Sequence, residues 1–389
     1  MTQSTSQYFV NQTLEVTVES LSSQGMGVAR HQGLVIFVVG GVPGDYLKIQ
    51  ITKLKKRMAD ASIQQVIKAS DWRQRPECPS FGVCGGCSWQ HIKYEYQLTA
   101  KQEILRQQLL RIGKIQAPIQ PIVPSPRPFY YRNRIQLQHG QFGVGYFKRQ
   151  GHEIIPITNC AIARPELNEV IKEIPPLLGD SAPQRVEIFI SIMDHKAHWH
   201  TLHQGRSIEG FSQVNEDQNR NLISQIASWL QLENAKNPLA RVVDLYGGAG
   251  NFTLRLARQF TQTHFAVVET SPTSIKLGRS LAEEMGLNNI SFFEEPVEDY
   301  LHREQGPSKL NKLVIVDPPR AGLSLAARKA LLAYAPSSLI YVSCHPGTLA
   351  RDLQFLLGEN RNYQIKSIQP FDMFPQTPHL ETTAYLSTT

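Results

Sequence analysis

No stretch of the chain approaches the roughly 18 uninterrupted apolar residues that would span a bilayer. The polar start from Met1 to Gln7 lacks the pattern of a secretory leader. These two absences lead to the expectation of a cytoplasmic protein with no membrane partner. Cysteine is scarce. Five thiols in 389 residues do not make a disulfide framework in a reducing compartment, and they point instead to metal binding or catalysis. Acidic residues are in deficit, 33 against 40 Lys plus Arg, so the net charge is +7 and an acidic partner such as nucleic acid is plausible. What is plentiful is apolar character: 41% of residues are hydrophobic, ample for packed cores, and the length suggests about two to three domains.

One of the few cysteines ends an apolar run. Leu339-Ile340-Tyr341-Val342-Ser343 stops at Cys344, between Pro336-Ser337-Ser338 and Pro346-Gly347, which reads as a buried strand delivering a thiol to its carboxyl end. Two similar runs end at Asp317-Pro318-Pro319-Arg320 and at Asp244-Leu245-Tyr246-Gly247-Gly248-Ala249-Gly250. From Arg241 onward strands and helices alternate, as in a doubly wound parallel sheet, where ligands sit beyond the carboxyl ends of the strands. Glu269 ends the second strand, where it could bind ribose hydroxyls. The glycine turn does not complete Gly-x-Gly-x-x-Gly and fits either a dinucleotide or S-adenosyl-L-methionine. Asp317-Pro318-Pro319, a rigid acid and stiff turn, favours the methyl donor.

Toward the amino terminus, short alternating strands punctuated by glycine suggest a small five-stranded barrel over residues 8 to about 66. The run Lys53-Leu54-Lys55-Lys56-Arg57 would meet phosphates there, or form a solvated charged edge. Cys78-x5-Cys84-Gly85-Gly86-Cys87 can wrap one inorganic centre. Cys160 supplies a fourth thiolate by elimination, since Cys344 belongs to the crevice. Four thiolates suit zinc or an iron-sulfur cluster, and this spacing is not the paired pattern of a zinc ribbon, which favours a 4Fe-4S cluster. A helix is expected over 91–113. A strand is expected from Tyr130 to Leu137, where arginine beside tyrosine could hold phosphate and stack on bases, or form an ordinary charged face.

The chain resembles the RNA uracil-5-methyltransferases, which make 5-methyluridine in ribosomal and transfer RNA. The resemblance rests on the cysteine motif with Cys160, Phe211-Ser212-Gln213-Val214-Asn215, Asp244-Leu245-Tyr246 through Gly250-Asn251-Phe252, Asp317-Pro318-Pro319-Arg320, Ser343-Cys344 and His379-Leu380-Glu381. It implies an α/β fold with three parts: a TRAM-like RNA-binding β-barrel over 1–66, a central iron-sulfur and RNA-binding domain over 67–205, and a Rossmann-like class I methyltransferase domain over 206–389. It further implies that Cys344 is the nucleophile and Glu381 the general base. Gln213, Tyr246, Asn251, Glu269 and Asp317 would line the pocket for S-adenosyl-L-methionine, and Cys78, Cys84, Cys87 and Cys160 would hold the 4Fe-4S cluster. Gly247, His345 and Pro296 depart from many relatives, which carry Cys, Asn and a polar residue there. The TRAM-like part leans the substrate toward 23S rRNA over tRNA, and a monomer is expected. A non-catalytic cluster protein would have lost the thiol or the acid, and both are present.

Overall fold

The computed structural model describes residues 8–177, 184–191, 194–202, 213–304, 311–358 and 363–388. Five strands, β1 (Thr13–Leu21), β2 (Gly27–His31), β3 (Leu34–Val39), β4 (Tyr46–Lys55) and β5 (Met58–Lys68), close into a barrel in the order β1-β2-β3-β5-β4. Strict alternation drives closure: Leu34, Ile36 and Val38 of β3 point inward with Val16, Leu47, Ile49 and Ile51, each contributing roughly 1.5–3 kcal/mol on burial. The basic run lies at the β4–β5 turn, with Lys53, Lys55, Lys56 and Arg57 exposed.

Helix α1 spans Tyr94–Gln108 and runs on through one wide turn at Leu109–Gly113. It begins three residues later than expected because Lys93 is extended, with ψ 143°. The central sheet follows, built from β6 (Arg134–Gly140), β7 (Gly143–Phe147), β8 (Ile154–Pro156), β9 (Gln184–Ile190) and β10 (Ala197–Thr201), all antiparallel in the order β10-β9-β6-β7-β8. Helix α2 (Pro165–Glu173) packs its Leu167, Val170 and Ile171 into this sheet's core. Strand β6 starts at Arg134, not Tyr130, because Tyr130 adopts φ 52° and breaks the extended run. Arg134 is not a phosphate-facing residue either: it is buried 3.6 Å from Glu187 and stacked over Phe189.

The third sheet is preceded by α3 (Glu216–Lys236) and holds β11 (Arg241–Leu245), β12 (His264–Glu269), β13 (Ile290–Glu294), β14 (Lys312–Val316), β15 (Ser338–Ser343), β16 (Tyr363–Phe371) and β17 (Glu381–Thr388). Its order is β13-β12-β11-β14-β15-β17-β16. Helices α4 (Thr253–Gln259), α5 (Pro272–Glu284), α6 (Val297–Arg303), α7 (Leu325–Tyr334) and α8 (Pro346–Leu356) alternate with the strands. Successive residues feed opposite faces: Val243 and Leu245 enter one core, Val242 the other. The sheet is not wholly parallel. β17 runs antiparallel between β15 and β16, and this reversal matters, because an antiparallel strand begins where its parallel neighbour ends.

Candidate active site

The β15 run is buried throughout and turns sharply at its end. The Ser343 hydroxyl accepts from the His345 amide at 3.2 Å, and His345 caps α8, its Nδ1 accepting from the Thr348 amide at 3.2 Å. Cys344 is held half-buried between these two bonds. In the β15–β17 register Ser343 faces Thr382, so the next step along both strands brings Cys344 to Glu381, which is buried. The antiparallel insertion of β17 therefore sets an acid against the thiol.

Charge makes this corner unusual. Burial, then the Asp317 carboxylate, holds Glu381 well above the usual carboxylate range. Burial and the neighbouring Asp244 push Asp317 up to about 7. Cys344 is pushed up to about 11 by burial, then by Glu381 and Asp317, while the Arg320 guanidinium acts in the opposite sense. Perturbed groups clustered at strand ends are the signature of a reactive site. Arg320 and Asp244 were visible in the motifs, yet nothing in the sequence distinguished the influence of Arg320 on the thiol or of Asp244 on Asp317.

The glycine turn after β11 forms the adjoining wall. Tyr246 takes φ 61° and Gly248 φ 58°, a reversal that is strained for tyrosine and that persists at functional sites only when surroundings impose it. A Cβ on Gly247 would come within 2.9 Å of Asp244 Cγ, so Asp244 fills the room that a larger side chain would need. Asp244 accepts from the Thr253 hydroxyl at 2.7 Å. Glu269, at the end of β12, accepts from the Gly248, Thr270 and Ser271 amides at 3.2, 2.8 and 2.9 Å. Asn251 exchanges two bonds with Asn219, at 2.8 and 3.0 Å, so it braces α3 against the turn. Gln213 is buried, its carbonyl accepting from Asn133 Nδ2 at 3.2 Å. Phe211 and Ser212 of the same motif lie outside the described residues.

The other four cysteines form a separate pocket. Cys78, Cys84, Cys87 and Cys160 line one small cavity with Gly86 and Tyr146. The Gly86 amide donates to Cys84 Sγ at 3.4 Å. A Cβ on Gly85 would meet the Phe147 carbonyl at 2.7 Å, so only glycine lets the loop pack this closely. Burial pushes Cys87 up to about 12 and raises Cys84 and Cys160 as well. Among the described residues no three His, Cys, Asp or Glu are set to grip a single metal ion.

The family model described as tRNA (Uracil-5-)-methyltransferase matches residues 184–389, and the TRAM domain model matches 7–63. An uncharacterized RNA methyltransferase of Bdellovibrio bacteriovorus is 34% identical over 96% of this chain and 94% of its own. The 23S rRNA (uracil(1939)-C(5))-methyltransferase RlmD of Photorhabdus laumondii is 30% identical, covering 96% of each chain. Among solved structures, the Pyrococcus abyssi tRNA (uracil-54, C5)-methyltransferase in complex with S-adenosyl-L-homocysteine superposes with a TM-score of 0.71 at 23% identity, over 96% of this chain and 100% of that one.

Proposed function

The chain belongs to the RNA uracil-5-methyltransferase family, and we propose that it methylates carbon 5 of a uridine in 23S rRNA by way of a covalent adduct to Cys344. The observation that carries this reading is the register that sets Glu381 against Cys344. Carbon 5 of uracil is a poor nucleophile. Cys344 gives up its proton to water and its Sγ bonds to carbon 6, which leaves an enolate across carbons 5 and 4. S-adenosyl-L-methionine, when bound, supplies the methyl group that carbon 5 takes, and leaves as S-adenosyl-L-homocysteine. Glu381 then removes the hydrogen from carbon 5, the electrons re-form the bond between carbons 5 and 6, and the Cys344 thiolate departs. Glu381 and Asp317 disfavour the thiolate that must form before addition, so Arg320 is the neighbouring charge that favours it.

Gln213, Tyr246, Glu269 and Asp317 would hold the methyl donor, with Asn251 steadying the turn. The target uridine must leave its stack to reach this corner. Ribosomal RNA is preferred as substrate because a relative acting on it matches nearly the whole chain at 30% identity. The tRNA reading is favoured by the description of the family model over 184–389. Domain limits near 66 and 205 are proposed with this assignment.

The cysteine pocket fits a 4Fe-4S cluster. Four thiols share one cavity with an amide donating to sulfur, and binding as thiolates would relieve the ionisation penalty that burial imposes. A cluster is wider than one ion, consistent with thiols that share a cavity without converging on a point. Anaerobically purified protein should contain about four irons per chain. One zinc and no iron would overturn the cluster.

The mechanism is tested by two variants that should fail differently. Glu381→Gln should add to RNA, transfer the methyl group and stall, giving a heat-resistant protein-RNA band on a denaturing gel. The double variant with Cys344→Ala should give none. Methylation by Cys344→Ala alone would refute the covalent route.

A further inference from the structure

Residues 372–380 connect β16 to β17 and carry Glu381 at their far end. The strap is tied down from several sides. Its most constrained residue is Gln376, buried completely and in the left-handed region at φ 68°. Such a conformation in a non-glycine residue is strained and persists only when neighbours over-determine it. Here they do. The Gln376 carbonyl accepts from the Ser88 and Trp89 amides, both at 3.0 Å. Its amide donates to Gln97 Oε1 at 3.0 Å, and its own Oε1 accepts from Gln97 Nε2 at 2.9 Å. Its Nε2 donates to the Pro128 carbonyl at 3.2 Å. Ser88 directly follows Cys87, and Trp89 reaches the barrel, donating from Nε1 to the Gly25 carbonyl at 2.9 Å.

We propose that Gln376 is a positioning residue that couples the cysteine loop to the general base, so that the state of the four-thiol pocket sets how Glu381 stands beside Cys344. The inference rests on the assignment of Glu381 as the base. Three backbone links carry it: the two amides that follow Cys87, the bent carbonyl that accepts both, and the short stretch from Gln376 to the first residue of β17. If the loop loosens, Gln376 loses its anchors and Glu381 loses the fixed start of its strand. Displacements of about 1 Å at a reacting centre can slow a step by about a hundredfold. The step affected is removal of the carbon 5 hydrogen, because that is the one Glu381 performs. The turn after β11 and Glu269 at the end of β12, which would hold much of the cofactor, lie across β14 from β17, and affinity for the cofactor should not change.

The test uses the full-length protein and two readouts. Gln97→Ala leaves the cysteine loop and the strap unchanged in sequence while removing the Gln97 bonds. It should accelerate amide exchange over residues 376–383 by about tenfold to a hundredfold, what the loss of the two hydrogen bonds between Gln97 and Gln376 implies, with exchange at the 247–250 turn and affinity for S-adenosyl-L-homocysteine unchanged. Cys84→Ser, which alters the pocket alone, should accelerate exchange in the same peptide. Gln97→Ala should also accumulate the methylated adduct that Glu381→Gln accumulates. Unchanged exchange in this peptide in Cys84→Ser, or a rise spread evenly over the chain, would overturn the coupling. Faster exchange without adduct, in an experiment where Glu381→Gln does give adduct, would show that the strap does not position the base. Absence of adduct in Glu381→Gln itself would count against the proposed mechanism, while the exchange result would still decide the coupling.

Discussion

Burial raises the Cys344 thiol most, and opposing charges then act on it, Glu381 and Asp317 raising it further and Arg320 lowering it. The sign of each effect is fixed by electrostatics: a nearby carboxylate disfavours the thiolate and raises the thiol, and a guanidinium does the reverse. The rate of iodoacetamide alkylation of Cys344 against pH should therefore have its midpoint near pH 11 in the wild type. It should move down in Asp317→Asn and in Glu381→Gln, and up in Arg320→Met. Mass spectrometry of the Cys344 peptide keeps the other four cysteines out of the measurement, and a midpoint unmoved in all three variants would remove charge as the control. At this scale the sequence was partly legible. An apolar run ending at Cys344 and a terminal acid at Glu381 could be read directly, because each closes a strand. Their adjacency could not, since it depends on β17 inserting antiparallel beside β15, and no local pattern encodes the neighbour of a strand.

The strap before β17 is bonded to α1, to the loop after Cys87 and to Tyr131, and a buried ion pair anchors its start. Lys101 of α1 and Asp372, both fully buried, pair directly, and Lys101 also donates to the Phe374 carbonyl at 3.0 Å. Burial lowers the Lys101 ammonium while Asp372 opposes that shift. Two charges out of water are tolerated only together, and removing one partner leaves the other uncompensated. Lys101→Met should accordingly cost about 3–5 kcal/mol in denaturant unfolding, and the double variant Lys101→Met with Asp372→Leu should recover most of that loss. Equal losses in the single and double variants would mean that packing, not charge, holds α1 to the strap. Elements with a clear period were readable in advance: the barrel strands from their alternation, and the strands that end at Asp244, Asp317 and Cys344 from their continuous apolar runs. Helix α2 was not, because its start at Pro165 follows directly on the Cys160 loop and its nine residues are too few to establish a period. The strap itself has no period at all, and its shape comes from side-chain and backbone bonds to residues distant in sequence, Gln97 and Ser88 among them.

On the scale of the whole molecule, the barrel is tied to the rest of the chain by specific hydrogen bonds. Asp45 in the barrel receives Arg73 at 2.8 and 2.7 Å, and Gly25 receives Trp89. Deleting residues 1–66 would strip partners from Arg73 and Trp89 and confuse lost RNA contacts with damaged folding, so the barrel's contribution is better tested by charge alone. The net charge of +7 is an average. Its sharpest concentration in the barrel is the exposed tip of Lys53, Lys55, Lys56 and Arg57, where β4 turns into β5. Each phosphate contact releases condensed counterions and adds roughly 0.7–0.9 to the slope of log affinity on log salt. Changing all four residues to glutamine should therefore lower the slope for the proposed RNA substrate by about three units. Affinity should fall most at low salt, and the fold and the affinity for S-adenosyl-L-homocysteine should stay as they were. A slope that does not move would make the tip a solvated edge that discourages strand pairing.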